Sequence, residues 1–357
     1  MKFYKKTSYT EDFRLFRDGA AAFWYALLGL ALVAAPFVLP AYYLSQLVLI
    51  GIYVVAGAGL MLLSGYCGQV SLGHAAFFAV GAFTVAVLEK HGVPFLAAFA
   101  AAGALSAAVG FVIGLPALRL SGLYLAIATL AASFIVTEVI VRWEGVTNGA
   151  SGLNVAKIRI AGWIADSEPK LYAIVLAVAV AAMLAVRNIV RAPLGLAMMA
   201  IRDSETAAQS MGVPLMRVKL AAFAISALLT GLAGALYAHK LQFIDPDQFT
   251  ILVSIEFLVM IFIGGIGSMH GIVLGAAFVI ALPQLVAVAK DYLPAAVAQQ
   301  SGLQAAVYAA VLLAFILAEP TGLYGIWRKI KHYFSMFPFY RKGSLRRAKS
   351  FAKSETW

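Results

Sequence analysis

Few side chains in this 357-residue chain can do chemistry, and several sit where hydrocarbon would reject them. The stretch GYCGQVSLGHAAFFAVGAF, residues 65–83, carries Gln69, Ser71 and His74 at the mouth of an apolar run. Glu256 lies in LVSIEFLVM with no cationic neighbour in sequence. Ionisable groups inside apolar segments are costly and face protein or water. Glu256 therefore has two readings, a group on a pathway or a structural hydrogen-bond partner of a neighbouring helix. Glu138 precedes Arg142 by four residues, which places both on one helical face as an interfacial ion pair. A proton relay through His74 needs partners, and no ladder of carboxylates runs through several segments. His74 reads instead as a neutral imidazole bonding a backbone carbonyl at a helix junction. The five histidines, at 74, 91, 239, 270 and 332, are scattered, and Cys67 is the only cysteine. No metal-ligand spacing and no nucleophile–base cluster emerges, which argues against a membrane-embedded enzyme. An ion-coupled carrier, the rival in another class, would need titratable groups at mid-membrane.

The elements that position these groups are apolar helices. The composition is 63% hydrophobic and 12% charged, with a mean hydropathy of +0.91. A soluble domain carries about 25% charged residues. A spanning helix needs about 20 apolar residues, and such blocks recur along the chain. There is no alternation of period two to suggest a barrel. The expected fold is all-α and polytopic, with about ten transmembrane helices near 22–39, 43–63, 70–88, 93–115, 122–141, 170–186, 220–238, 251–265, 272–289 and 302–318. The sixth and eighth are short and the third contains polar groups, so any of these is a candidate for a broken or re-entrant helix. The first block is longer than the apolar core of a signal peptide and reads as a retained helix.

Charge tests this count. With ten crossings and both ends inside, 20 of the 27 Lys and Arg residues fall on the inner side. The positive-inside rule favours that orientation. The net charge of +11 thus reflects tails and loops rather than nucleic acid. The basic, aromatic tail fits an interfacial flank. The expected organisation is an inner N-terminal segment, 1–21, one transmembrane domain, 22–318, and a basic inner tail, 319–357. Two loops are long enough to carry function, 142–169 outside and 187–219 inside.

The inner loop has helix signals. Pro193 suits a first turn, Asp203 or Ser204 can cap a second short helix, with Glu205 in its first turn, and Gly212 and Pro214 terminate it. The result is a helical hook with a charged turn, Arg202–Glu205, and an apolar patch of Ala207, Ala208 and Met211, which suits a docking partner. In the outer loop, Thr147, Asn148, Gly149 and Ser151 lie in TNGASGL. These are turn formers, read either as an ordinary turn or as a contact for a substrate-delivering protein or an outer gate. Gly110 and Gly114, and the row Gly267, Gly271 and Gly275, suit close helix packing. GGIGSMHG, residues 264–271, weakly echoes GQVSLGH.

GQVSLGHAAFFAVGAF, LRLSGLYLAIATLA, IRDSETAAQSMGV, KLAAFAISALLTGLAGALYAH, SIEFLVMIFIGGIGSMHGIVLGAAF and EPTGLYGIW, in this order, resemble the permease subunits of branched-chain amino acid ABC importers. The resemblance runs from about residue 45 to 330 and is greatest to the longer of the two paired permeases. It implies a bacterial inner-membrane complex with a second homologous permease, two cytoplasmic ATPases and a periplasmic binding protein. This chain would be the non-catalytic path-forming subunit. It would bind no cofactor, with ATP and Mg used by the partners; no G-x-x-x-x-G-K-[ST] run occurs in it. Related permeases carry urea or short amides. Glu205, Ala207, Ala208 and Gly212 are similar to the ATPase-docking motif of importer permeases, which implies that they dock an ATPase together with Arg202 and Asp203. Thr206 and the missing I-x-L-P depart from that motif.

Overall fold

The computed structural model describes residues 19–117, 120, 122–160, 163–290, 303–319 and 321–336. Most of the N-terminal segment, Arg119 and the basic end of the tail lie outside the described residues. The helices are α1 (Gly19–Val38), α2 (Ala41–Leu60), α3 (His74–Lys90), α4 (Phe95–Ala117), α5 (Gly122–Arg142), α6 (Glu144–Thr147), α7 (Glu168–Arg191), α8 (Pro193–Asp203), α9 (Glu205–Ser210), α10 (Leu215–Leu241), α11 (Ile251–Gly264), α12 (Met269–Lys290), α13 (Leu303–Ala318) and α14 (Gly322–Met336). A π-helical turn, Met61–Tyr66, extends α2.

Among the described residues, seven helices are long and apolar enough to cross a membrane: α2 with its π-turn, α4, α5, α7, α10, α11 with the 3-10 turn before it, and α12. The expected count of ten is not reached on that measure. α1 and α13 contribute shorter apolar stretches, Phe23–Val38 and Ala306–Phe315, and α3 has 17 residues. The sixth segment is corrected in the other direction. Read as short because Arg187 ends its apolar run, it is a 24-residue helix that continues through Arg191.

α2 and α10 form the buried centre, and α10 packs on α2, α3 and α4. Between apolar helices in lipid, small residues let backbones approach. At Gly81 of α3 a methyl group would overlap the backbone of Gly231 in α10, and at Gly110 of α4 it would overlap Ala227. The outer helices expose large apolar side chains, such as Ile135 of α5, Leu184 of α7 and Leu285 of α12, as lipid contact requires.

Four two-residue strands lie in and beside the 142–169 loop and were not expected. β1 (Leu153–Asn154) pairs antiparallel with β4 (Phe243–Ile244), the segment just past α10. β2 (Arg159–Ile160) pairs with β3 (Trp163–Ile164) as a hairpin. The chain thus has a hairpin side, where these strands lie, and a hook side, formed by α8 and α9.

Candidate functional site

The polar stretch after α2 turns back into the bundle. Gln69 N–H bonds Leu63 O at 3.1 Å, and Ser64 Oγ donates to Gln69 O at 2.9 Å. The chain then stays non-helical to Gly73, and α3 starts at His74. Its level follows from its partner on α10. His74 Nε2 lies 2.7 Å from Ser226 Oγ, and Ser226 is 11 residues into α10, about 16 Å from its start. At the other end of α3, Glu89 meets His239 in the last turn of α10 at 3.3 Å. α3 is therefore a half-helix that begins inside the bundle.

An entry of this kind frees backbone groups, which side chains satisfy. Leu72 N–H bonds Thr129 Oγ1 of α5 at 3.1 Å, Gly73 N–H bonds Ser71 Oγ at 3.3 Å, and Ala75 N–H bonds Ser254 Oγ of α11 at 2.8 Å. The imidazole of His74 has no accessible surface and sits between Ser226 and Ser71, whose Oγ is 3.1 Å from Nδ1. The expected bond to a backbone carbonyl is thus corrected to two hydroxyl contacts. Gln69 is buried, and its Oε1 has no partner among the described residues.

On the hook side, Pro193 opens α8, and Ser204 caps α9 by accepting Ala207 N–H at 3.3 Å. Gly212 takes φ +82°, the left-handed conformation that ends a helix, and Val213 N–H returns to Ala208 O at 3.0 Å. Asp203, Ala207 and Met211 are exposed. Ala208 is buried, so the apolar patch expected from Ala207, Ala208 and Met211 loses its middle member. Glu205 faces inward as well as outward: its Oε1 meets Nζ of buried Lys219 of α10 at 2.7 Å.

Arg202 is the main surprise. The sequence placed it on an exposed docking turn, and it is exposed there, yet it also reaches inward. Its Nη1 donates to Gly65 O, at the end of the π-turn, at 2.7 Å. Its stem passes over Gly68, which has φ +73° and where a Cβ would lie 3.0 Å from Arg202 Cγ. Nη1 also borders Gly267, in the break between α11 and α12, and Gly267 N–H reaches Met61 Sδ at 3.2 Å. One guanidinium thus touches both helix breaks. Ser268 orders the second break, donating to Gly265 O at 2.9 Å and accepting Gly271 N–H at 3.1 Å.

Glu256, on α11, accepts a hydrogen bond from Tyr53 of α2 at 3.2 Å. Beside it, Tyr53 and Phe257 meet edge to face at 5.1 Å, and Phe78 meets Phe257 at 5.3 Å and Tyr237 at 5.0 Å. This aromatic cluster joins α2, α3, α10 and α11.

On the hairpin side, Thr147 is buried, and its one hydroxyl proton is shared between Ile140 O at 2.6 Å and Trp143 O at 2.9 Å. Asn148 sits at φ +62° and bonds Gly152 O at 2.9 Å, Gly149 N–H points at Thr147 Oγ1, and Ser151 is exposed. These contacts build the turn from within. Nearby, Lys240 meets Glu168 and Ser45, each at 2.7 Å, beside a cavity of about 120 Å³ lined by Lys157, Asp166, Glu168 and His239. The Lys170 ammonium bonds exposed Asp166 and holds its carboxyl below the usual range. Glu138 and Arg142 form the expected exposed ion pair. No group of His, Cys, Asp and Glu able to hold a metal occurs among the described residues.

The sequence reading missed Thr129, Lys219, Ser226 and Ser254. The available signal was a hydroxyl or ammonium inside an otherwise apolar segment, without anything to pair it with the junction.

Known proteins supply the remaining comparison. Residues 42–318 match the family described as "Branched-chain amino acid transport system / permease component". The high-affinity branched-chain amino acid transport system permease protein LivM of Escherichia coli K12 is 34% identical over 295 residues, covering 76% of this chain and 69% of LivM. LivM of Salmonella typhimurium is 33% identical over the same shares. A probable LivM of Methanocaldococcus jannaschii is 24% identical, over 61% of this chain and 66% of that protein. No solved structure matches the chain.

Proposed function

Because this chain belongs to the permease components of branched-chain amino acid transport systems, we propose that it is one membrane subunit of an ATP-driven importer for leucine, isoleucine and valine. The observation that carries the reading is the family match over 277 residues, 42–318. In the proposed complex a second permease completes the path, two ATPases dock on the hook side and a periplasmic binding protein delivers substrate on the hairpin side. The chain is a multi-pass protein of the bacterial inner membrane, crosses ten times and keeps both termini in the cytoplasm. It binds no cofactor, and ATP and Mg are used by the ATPases.

The geometry supports a route for coupling. The exposed edge of α8 and α9, with Asp203 and Ala207, is the proposed ATPase contact. Glu205 and Arg202 hold the inner edge, to α10 through Lys219 and to both helix breaks through Gly65 O and Gly267. A displacement of the hook by the ATPases then pulls on the entry to the half-helix α3 and on the α11–α12 break together. Those two elements carry the buried polar junction and Glu256, and their shift is the proposed inward opening of the path. Thr147–Ser151 and the β1–β4 pair form the proposed outer rim.

The test is reconstitution. Proteoliposomes holding both permeases and the ATPases should accumulate leucine only with ATP and loaded binding protein. ATP-independent accumulation driven by an ion gradient would overturn the reading, and transport of urea but not leucine would move the substrate to the amide class.

A further inference from the structure

We propose that Glu256 is the subsite for the α-ammonium group of the transported amino acid, an inference that rests on the function proposed above. Glu256 lies five residues into α11, inside an apolar span. It has no basic side chain within ion-pair distance among the described residues. In contrast, Glu89, Glu138, Glu168 and Glu205 each face one. A carboxylate offers about four acceptor positions. Among the described residues one is used, by Tyr53 Oη at 3.2 Å, longer than the usual O–H···O distance of about 2.7 Å.

The surroundings match what a cation on an apolar body needs. Tyr308 of α13 has a buried hydroxyl with no hydrogen-bond partner among the described residues and lies within electrostatic reach of Glu256, as does Tyr237. Tyr53, Phe257, Phe78 and Tyr237 form a continuous aromatic cluster behind the carboxylate, with Phe78 and Phe257 packed in the core and Tyr237 half-buried at its edge. A primary ammonium is stabilised by a carboxylate and by aromatic side chains together, and half-buried Tyr237 and Tyr308 offer apolar surface to an aliphatic side chain. The ligand class is therefore an amine-bearing molecule with an apolar body. Urea and short amides can donate N–H to a carboxylate but bring no positive charge to pair with it, so an ammonium is favoured over them.

A purely structural role for Glu256 is to accept the Tyr53 hydrogen bond, and Glu256→Gln keeps that acceptor while removing the charge. In proteoliposomes with saturating leucine-loaded binding protein, E256Q should lower leucine uptake about tenfold or more, with complex assembly and thermal stability unchanged. Uptake within about twofold of wild type would overturn the subsite. A second measurement is independent of the variant's folding. On the wild-type complex without binding protein, leucine and leucinamide should raise the melting temperature and 4-methylpentanoate, which lacks the amine, should not. Equal stabilisation by 4-methylpentanoate would overturn the proposal. A wild-type complex that takes up no leucine would overturn the function itself, whereas equal leucine uptake by wild type and E256Q overturns only the subsite.

Discussion

Arg202 reaches from the hook to a carbonyl and two glycines of the helix breaks, and its fork geometry suits two surfaces at once. Arg202→Ala removes the donor to Gly65 O while leaving the exposed edge of the hook intact. ATP hydrolysis by the assembled complex should persist, and leucine uptake should fall about tenfold or more, measured on the same proteoliposomes. A parallel loss of both activities would mean that the contact only holds the fold. His74 makes a different prediction. Ser226→Ala leaves Nε2 of a fully buried imidazole without its partner, at a cost of about 1–3 kcal/mol. Thermal denaturation of the purified variant should register that loss. The presence of a polar junction was legible in Gln69, Ser71 and His74. Its chemistry was not, because the hydroxyls that complete it come from α5, α10 and α11, and Ser226 is 152 residues from His74.

The hook is the element whose local structure was most legible, because its signals are local: Pro193 at a first turn, Ser204 at a cap, Gly212 in the left-handed region. What the sequence lacked was direction. Glu205 and Gly212 looked like docking residues to replace, yet Glu205 pairs with buried Lys219, so its removal also leaves an ammonium without its partner. Ala207, exposed in the middle of α9, is the cleaner probe. Ala207→Arg should reduce co-purification of the ATPases severalfold while the melting temperature of the permease pair stays near wild type. The β1–β4 pairing had no sequence signal, since two residues on each strand carry no periodicity and their separation is about 90 residues. The length of α7 was misread for the opposite reason: a charged last turn ends an apolar run without ending a helix.

Across the whole molecule, the class was legible because lipid imposes it: long apolar helices, small residues where helices meet, and large apolar side chains outside. The number of crossings was less so, as the half-helix α3 shows, because a segment that starts inside the bundle spends fewer residues in it. Orientation is open to direct test. Single cysteines at Ser151 and Ala207, both exposed, should react with impermeant reagents from outside and from the cytoplasm respectively, and the reverse pattern would invert the proposed topology. Native Cys67 is buried and should not interfere. The π-turn at Met61–Tyr66 adds a consequence of its own. It holds more residues per turn than an α-helix, and the carbonyl that Arg202 grips lies near its end. Such a turn takes up one residue beyond α-helical spacing, so deleting one there would close it as α-helix with its flanks nearly in phase, whereas inserting a further one would swing everything after it by about 100°. Gly65 O would then face away from the hook, though no polar contact had been mutated. At this point the chain is more tolerant of losing a residue than of gaining one: the turn should absorb the loss of a single codon, and should not absorb the gain of one.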